Sequence, residues 1–417
     1  MENSKFAFRQ DGGRILPESD DIPATKAPTA GQLALVRALP DNDQFAWGEG
    51  TWKVPIDSCF TEEHHDAEQA RVFNRLPLPV APAGLLPENG SFACRQVYGK
   101  DVILTRDREG TVHAFLNVCM HRGSRIVTDE RTQKKRLLSC PFHAWTYNLE
   151  GRLVAVPRQE TFKDLDKSQH GLKQLQCREL GGIIWLKVDL QADDDFSMVP
   201  TELTDDFDAL GVPTMHLFAT GVHEVAANWK LVMDTFQEGY HVTRLHSETL
   251  KGRFEDTIEL VDLIGHHMRR AAGRIGYRRD SLAGREDSLS DLRRLVTFHY
   301  TLFPNAVVIC SQIYLNFMVF VPTGAASCRV INYMLTDHPP RNEKDLDRFT
   351  RSNEITDKST FLEDFAAAEY SQVGIATGAL KEFTLCPLEQ HVWTFHQILD
   401  AVMDGREVPA DLVAAIA

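Results

Sequence analysis

Two short motifs, Cys119-Met120-His121 and Cys140-Pro141-Phe142-His143, each offer one thiol and one imidazole, and residues 122–139 separate them. Four soft or borderline ligands in that arrangement suit a metal centre. Two thiolates on one iron and two imidazoles on the other would hold a two-iron, two-sulfur cluster, the histidines raising its potential. Gly123 and Pro141 suit tight loops that present both pairs to one small centre. The same four residues can also hold a tetrahedral structural zinc, although zinc fingers pair cysteine with cysteine and histidine with histidine, and here each motif mixes them.

A second group lies in N-W-K-L-V-M-D-T-F-Q-E-G-Y-H-V-T-R-L-H, from Asn228 to His246. Spacings of three and five put Glu238, His241 and His246 on roughly one side of a helix that must distort or end between the histidines. Two histidines alone are a weak signal. A mononuclear iron that activates dioxygen takes two histidines and one carboxylate on one face and leaves positions open. The carboxylate must then come from elsewhere, and Asp364 and Glu389 are the two candidates.

The stretch C-M-H-R-G followed by C-P-F-H-A-W resembles the Rieske domain of the Rieske non-haem iron oxygenases, the terminal oxygenase (alpha) subunits of ring-hydroxylating and demethylating systems. The resemblance runs from about residue 88 to about residue 403. It implies a Rieske [2Fe-2S] cluster on Cys119, His121, Cys140 and His143, and a mononuclear Fe(II) on His241 and His246. The segment E-D-F-A-A-A-E-Y-S-Q-V-G, Glu363 to Gly374, resembles the family's E-D-x4-E-x2-Q stretch, which implies Asp364 as the third ligand and leaves Glu389 second. Glu238 stands where the family keeps an acid that bridges two subunits, which assigns it a catalytic part in relaying electrons. The chain departs from the family at Asp234-Thr235, where many members have Glu-Asn.

The resemblance further implies electrons from NAD(P)H, delivered by a separate flavin/iron-sulfur reductase or a ferredoxin, and a homotrimer in which the cluster of one subunit serves the iron of the next. The expected reaction is hydroxylation of an organic, aromatic substrate with O2. Oxidative O- or N-demethylation within the family is the alternative, and a non-catalytic Rieske electron-transfer protein is the reading from another class.

The bulk properties bound the rest. A length of 417 residues favours two domains, and a formal charge of −14 argues against nucleic acid and against an anionic membrane surface. The eight scattered cysteines form no disulfide framework and fit a reducing cytoplasm, and neither a signal peptide nor a membrane span is expected. Expected are an N-terminal arm and short helix over 1–85, an all-β Rieske domain over 86–176, and a catalytic domain over 177–417. The last is read as α+β, a helix-grip arrangement with helices on one face of an antiparallel sheet.

Strands are expected at Phe92–Val97, Val102–Thr105, Val112–Leu116 and Gly182–Val188, and again at Val296–Leu302, Ala306–Gln312, Leu315–Val321 and Arg329–Leu335. Helices are expected over Thr61–Asn74, Asn228–Leu245, Phe361–Tyr370 and Gln390–Met403. His64 and His65 read as surface residues, and the strand Tyr314–Phe320 as pocket lining or core. Arg131, Lys134, Lys135 and Arg136 read as a solvated tip or a docking face for an acidic electron carrier. The eight arginines between Arg269 and Arg294 read as a solvated loop or lid, one of them a candidate for a substrate carboxylate.

Overall fold

A computed structural model describes residues 26–41, 50–56, 60–250, 254–409 and 412. Much of the expected N-terminal arm lies outside the described residues. Within it, Ala30–Ala38 is a helix that begins at a reciprocal cap, Thr29 accepting from Gln32 N while the Gln32 side chain accepts from Thr29 N. Such a box satisfies two otherwise orphaned N–H groups. The sequence reading missed it.

The cluster-bearing part is all β. A five-stranded antiparallel sheet runs in the order Gln174–Leu175, Val112–Leu116, Lys100–Arg106, Ser91–Val97, Gln133–Lys134. Beside it, Leu137–Ser139, Thr146–Asn148 and Leu153–Ala155 form a three-stranded sheet that carries the second Cys/His motif on its first turn. Phe92, Phe115, Trp145 and Tyr147 pack between the two. A third small sheet pairs Leu78–Pro82 with Ile183–Leu186 and Cys177–Leu180, so chain from before and after the cluster region meets there.

The second part is a seven-stranded antiparallel sheet in the order His216–Val225, Ser327–Thr336, Tyr314–Gly324, Ala306–Cys310, Val296–Leu302, His267–Arg274, Phe254–Ile264. The β-branched and aromatic text at 296–336 gives four of these strands. The strands His216–Val225, Phe254–Ile264 and His267–Arg274 were not anticipated. The last overturns the loop reading of the Arg-rich segment: His267–Arg274 lies inside the sheet, and Arg269 and Arg270 are buried in it. Charged side chains hid a strand because they meet tertiary partners that local sequence does not reveal, three acids in the case of Arg269.

The expected helix Asn228–Leu245 is broken. Trp229–Asp234 is capped by the Asn228 side chain, and only Val242–Leu245 resumes as helix. Gly239 sits in the gap, and a Cβ there would stand 2.9 Å from Glu259 Oε2, so a larger residue would displace the Glu259 carboxylate. Trp229–Asp234 packs on the strands Tyr314–Gly324 and Ser327–Thr336 and against the helix Phe365–Ala376. That packing brings the late acidic stretch beside the histidines. His64 and His65 are half-buried rather than on the surface: His64 pairs with buried Glu68 at 3.2 Å, which also holds Lys230 and Trp229. No described helix is long and apolar enough to cross a membrane.

Candidate metal centres and the adjoining pocket

The first Cys/His pair is set by a turn in which Cys119 N donates to Ser124 O and Gly123 N to Cys119 O, with Gly123 at φ +75°. The second is set by Cys140 N donating to Trp145 O and Ala144 N to Cys140 O. Both cysteines are buried. The rings of His121 and His143 meet edge to face with centroids 4.7 Å apart, and His121 stacks flat on Trp145. The Nδ1 atoms of both histidines are buried and have no hydrogen-bond partner. Orphaned buried nitrogens of this kind are what a bound metal would satisfy.

The spacing of these ligand atoms also discriminates between the two chemistries. Ligands of one tetrahedral zinc stand about 3.3–3.8 Å from one another, given Zn–S and Zn–N bonds of about 2.3 and 2.0 Å. Among the described residues, the groups with three ligand atoms all within 4.8 Å are His241, His246, Asp364 and Asp107, Glu109, Glu150, and neither includes a cysteine. The wider Cys/His frame fits a two-iron cluster. Tyr147 Oη accepts from Met120 N at 3.0 Å and lies 3.4 Å from Cys119 Sγ. Burial pushes the Cys119 thiol up, whereas at Cys140 burial is outweighed by the N–H groups of Phe142 and His143 and the thiol is held low.

At the second centre, His241, His246 and Asp364 are brought together. Asp364 Oδ1 lies 2.9 Å from His246 Nε2 and 3.5 Å from His241 Nε2, yet makes no hydrogen bond of acceptable angle. The Nδ1 atoms are held elsewhere. That of His241 pairs with Glu238 Oε1, and that of His246 with Glu363 Oε2 at 2.5 Å, an oxygen that also accepts from Thr249. Carboxylates behind both rings orient the two Nε2 atoms toward Asp364, and the three donors share one side, as a facial iron site requires. Asp364 is the last residue of a π-helical stretch, Asp357–Asp364, that precedes the helix Phe365–Ala376. Such wide turns often mark functional sites. Burial raises the Asp364 carboxyl, and the carboxylates of Asp364 and Glu363 raise His246 against its burial.

Glu389 is not part of this group. Its side chain accepts from Cys386 N at 2.9 Å, closing the 3-10 turn Pro387–Glu389 that precedes the helix Gln390–Met403. Both oxygens of Glu238 are engaged at His241, the second accepting from its backbone N at 3.1 Å. Asp234 pairs with buried His396 at 3.0 Å, and the Thr235 hydroxyl donates to Val232 O. Sequence reasoning passed over Glu363, although it stands next to Asp364 in the very stretch that pointed there.

A cavity of about 250 Å3 opens beside the three ligands, small against the range of about 300–1,000 Å3 for drug-sized ligands. Its walls include Phe236, Ile309, Tyr314 and Asn316, together with Glu259, Arg270 and His299. Of the strand read as lining or core, Tyr314 and Asn316 face the cavity while Phe317 and Phe320 are fully buried. Burial raises Glu259 to about 7 and drives His391 down to about 3.

Comparison with known proteins agrees with these two centres. Residues 77–175 match the Rieske [2Fe-2S] domain family, and residues 213–405 match the catalytic domain of the ring-hydroxylating alpha subunits. The chain is 37% identical over 172 residues to the glycine betaine monooxygenase oxygenase subunit of Pseudomonas aeruginosa, covering 41% of this chain and 39% of that protein. It is 29% identical over 215 residues to the anthranilate 1,2-dioxygenase large subunit of Acinetobacter baylyi, covering 48% and 44%. It is 27% identical over 239 residues to the carnitine monooxygenase oxygenase subunit of Escherichia coli, covering 55% and 60%. The chain thus spans less than two thirds of the length of each of these relatives. Its fold is that of a quaternary ammonium Rieske monooxygenase, with a TM-score of 0.71 at 19% identity over 84% of this chain and 95% of that one. It is equally that of naphthalene 1,2-dioxygenase from Rhodococcus, with a TM-score of 0.70 at 20% identity over 84% and 94%. The chain belongs to the Rieske non-haem iron oxygenases, in which a Rieske [2Fe-2S] domain is joined to a ring-hydroxylating alpha-subunit catalytic domain.

Proposed function

We propose that this chain is a terminal oxygenase that inserts one oxygen atom from O2 into a small, polar, nitrogen-bearing substrate. The single observation that carries the reading is the His241, His246, Asp364 face, both imidazoles held from behind by carboxylates, opening on a cavity in the same chain as the Cys/His frame. A [2Fe-2S] cluster on Cys119, His121, Cys140 and His143 and an iron on His241, His246 and Asp364 would supply one-electron transfer and dioxygen activation. The balance is substrate C–H, O2, NAD(P)H and a proton in, and C–OH, water and NAD(P)+ out. On an N-methyl group, the hydroxymethyl product collapses to formaldehyde and the demethylated amine.

The chain's own residues do the positioning. Glu238 and Glu363 fix the imidazole tautomers, Asp364 supplies the third donor, and Phe236, Ile309 and Tyr314 narrow the cavity and exclude water. A non-catalytic electron carrier needs neither the second ligand set nor the cavity. The demethylating alternative is favoured over an aromatic ring because the cavity is small and its floor carries Arg270, His299 and Asn316, and because relatives are named for glycine betaine and carnitine. The anthranilate relative keeps a small aromatic acid as the second reading.

A homotrimer with electron transfer between subunits is part of the proposal. Exposed Val118, Leu137 and Phe142 lie in the stretch that holds the cluster frame, and exposed Leu362, Tyr370 and Val373 lie on the π-helical stretch that ends at Asp364 and on the helix after it, apolar side chains that a neighbouring copy would cover. A structural neighbour is described in terms of inter-subunit electron transfer. A separate reductase or ferredoxin would deliver the electrons. The free state of the seven described cysteines supports a reducing cytoplasm. Purified, iron-loaded protein with a flavin/iron-sulfur reductase and NAD(P)H should consume O2 and release formaldehyde from at least one of glycine betaine, carnitine and choline, or hydroxylate anthranilate. Absence of any substrate-dependent O2 uptake across that panel would defeat the reading.

A further inference from the structure

We propose that the Arg270 end of the cavity is a carboxylate-anchoring subsite, so that the substrate is an acid whose anionic end is seated there. In a strand, alternate side chains share a face, and Arg270, Ala272 and Arg274 of His267–Arg274 all line the cavity. Cross-strand register sets Arg270 opposite His299, His299 opposite Ile309, and Ile309 opposite Asn316, and all four line the cavity. The floor is therefore a row across four strands that starts from a cation.

The neighbouring arginine shows what a purely structural one looks like here. Arg269, on the opposite face, meets Asp206, Asp262 and Glu202, and its positive charge is fully met by acids. Arg270 is only 6% exposed. Yet one short bond, Nη2 to His299 Nδ1 at 2.9 Å, is joined only by contacts of 3.4 Å to Phe236 O and Glu259 Oε2. A guanidinium has five N–H donors, so donors remain without an acceptor among the described residues. The donors left over belong to Nε and Nη1, and a buried cation with donors to spare at a cavity suits a carboxylate. Glu259, its one acid, has its other oxygen unpartnered and lies high in its titration range. Arg274, half-buried and donating to Thr297 Oγ1 at 3.1 Å, adds a second cation at the same end, and Ala272 between them leaves the room.

This deepens the oxygenase reading by naming a substrate class, but it is tested by binding rather than by turnover. Iron-loaded protein would be titrated calorimetrically with glycine betaine, carnitine, benzoate and anthranilate, each against its methyl ester. At least one acid should bind about tenfold or more tightly than its ester, a difference of about 1.4 kcal/mol. Arg270→Lys keeps the charge but loses the planar set of five donors, and it should abolish most of that preference. Arg274→Gln, at a half-buried position, should weaken the acid alone while leaving iron content and the visible spectrum unchanged, and it decides the matter should Arg270→Lys not fold. The proposal is overturned if no acid is preferred to its ester, or if the preference survives Arg274→Gln and any folded Arg270→Lys protein. An enzyme that discriminates acids but never consumes O2 would defeat the oxygenase reading and leave the subsite standing. One that binds and oxidises acids and esters equally would do the reverse.

Discussion

The two metal frames are built on opposite plans. The Cys/His frame lies within one short stretch, on turns whose own backbone bonds aim the ligands, and its histidine Nδ1 atoms are left bare. The His/His/Asp frame joins a broken helix to a π-helical turn more than a hundred residues later, and each imidazole is clamped from behind by a carboxylate. A local frame can rely on turn geometry. A frame assembled from distant elements has no such constraint, and added hydrogen bonds hold its rings in one orientation.

That contrast can be broken most directly by removing one ligand from each frame. Cys119→Ser should abolish the cluster's visible absorption and lower iron from about three to about one per chain, while Asp364→Ala should lower it to about two with the spectrum intact. Loss of both signals in either variant would show the frames to be interdependent. Next in size, Glu363→Gln should weaken iron binding at the second site by about 10–100-fold without touching the spectrum, because His246 loses the acid that holds its ring. Iron affinity equal to that of the parent would make Glu363 merely structural.

Iron uptake by the second frame should also weaken as pH falls. Burial raises Asp364 and carboxylates raise His246, so protons compete for both ligands at higher pH than usual, and metal binding must displace them. A pH-independent affinity between pH 5 and pH 7, read by chelator competition, would contradict this. Glu238→Gln should leave the cluster's spectrum intact, weaken the iron no more than Glu363→Gln does, and cut turnover per bound iron sharply, since an amide holds His241 less strongly and would relay electrons to it poorly. Full turnover would count against a relay at Glu238. The smallest effect is expected at the basic groove beside the cluster frame. Lys134 already pairs with Glu88, and Arg131 with Asp129, which leaves exposed Lys135 and Arg136 to attract an acidic carrier. Lys135→Glu should slow reduction a few-fold at low salt and hardly at all at high salt, as screening dictates; equal slowing at both would exclude electrostatic docking.

Residue types and spacing determined the Cys/His frame, because its ligands lie on turns whose conformation is set within a few residues, and the four adjacent inner strands between Val296 and Thr336, because their β-branched and aromatic enrichment is local. They also marked Asp364 ahead of Glu389, though only through resemblance. Tertiary structure alone decided the rest. The helix carrying His241 is interrupted around Gly239, against which Glu259 from a different strand packs. Glu363 becomes the partner of His246 only when the helix Phe365–Ala376 packs on Trp229–Asp234. The arginines that read as a solvated loop divide into Arg269, saturated by three acids, and Arg270, aimed into the cavity, because neighbours on a strand point to opposite faces. Charge and spacing name the groups that can do chemistry; which of them are left unsatisfied at a cavity depends on partners far away in the chain.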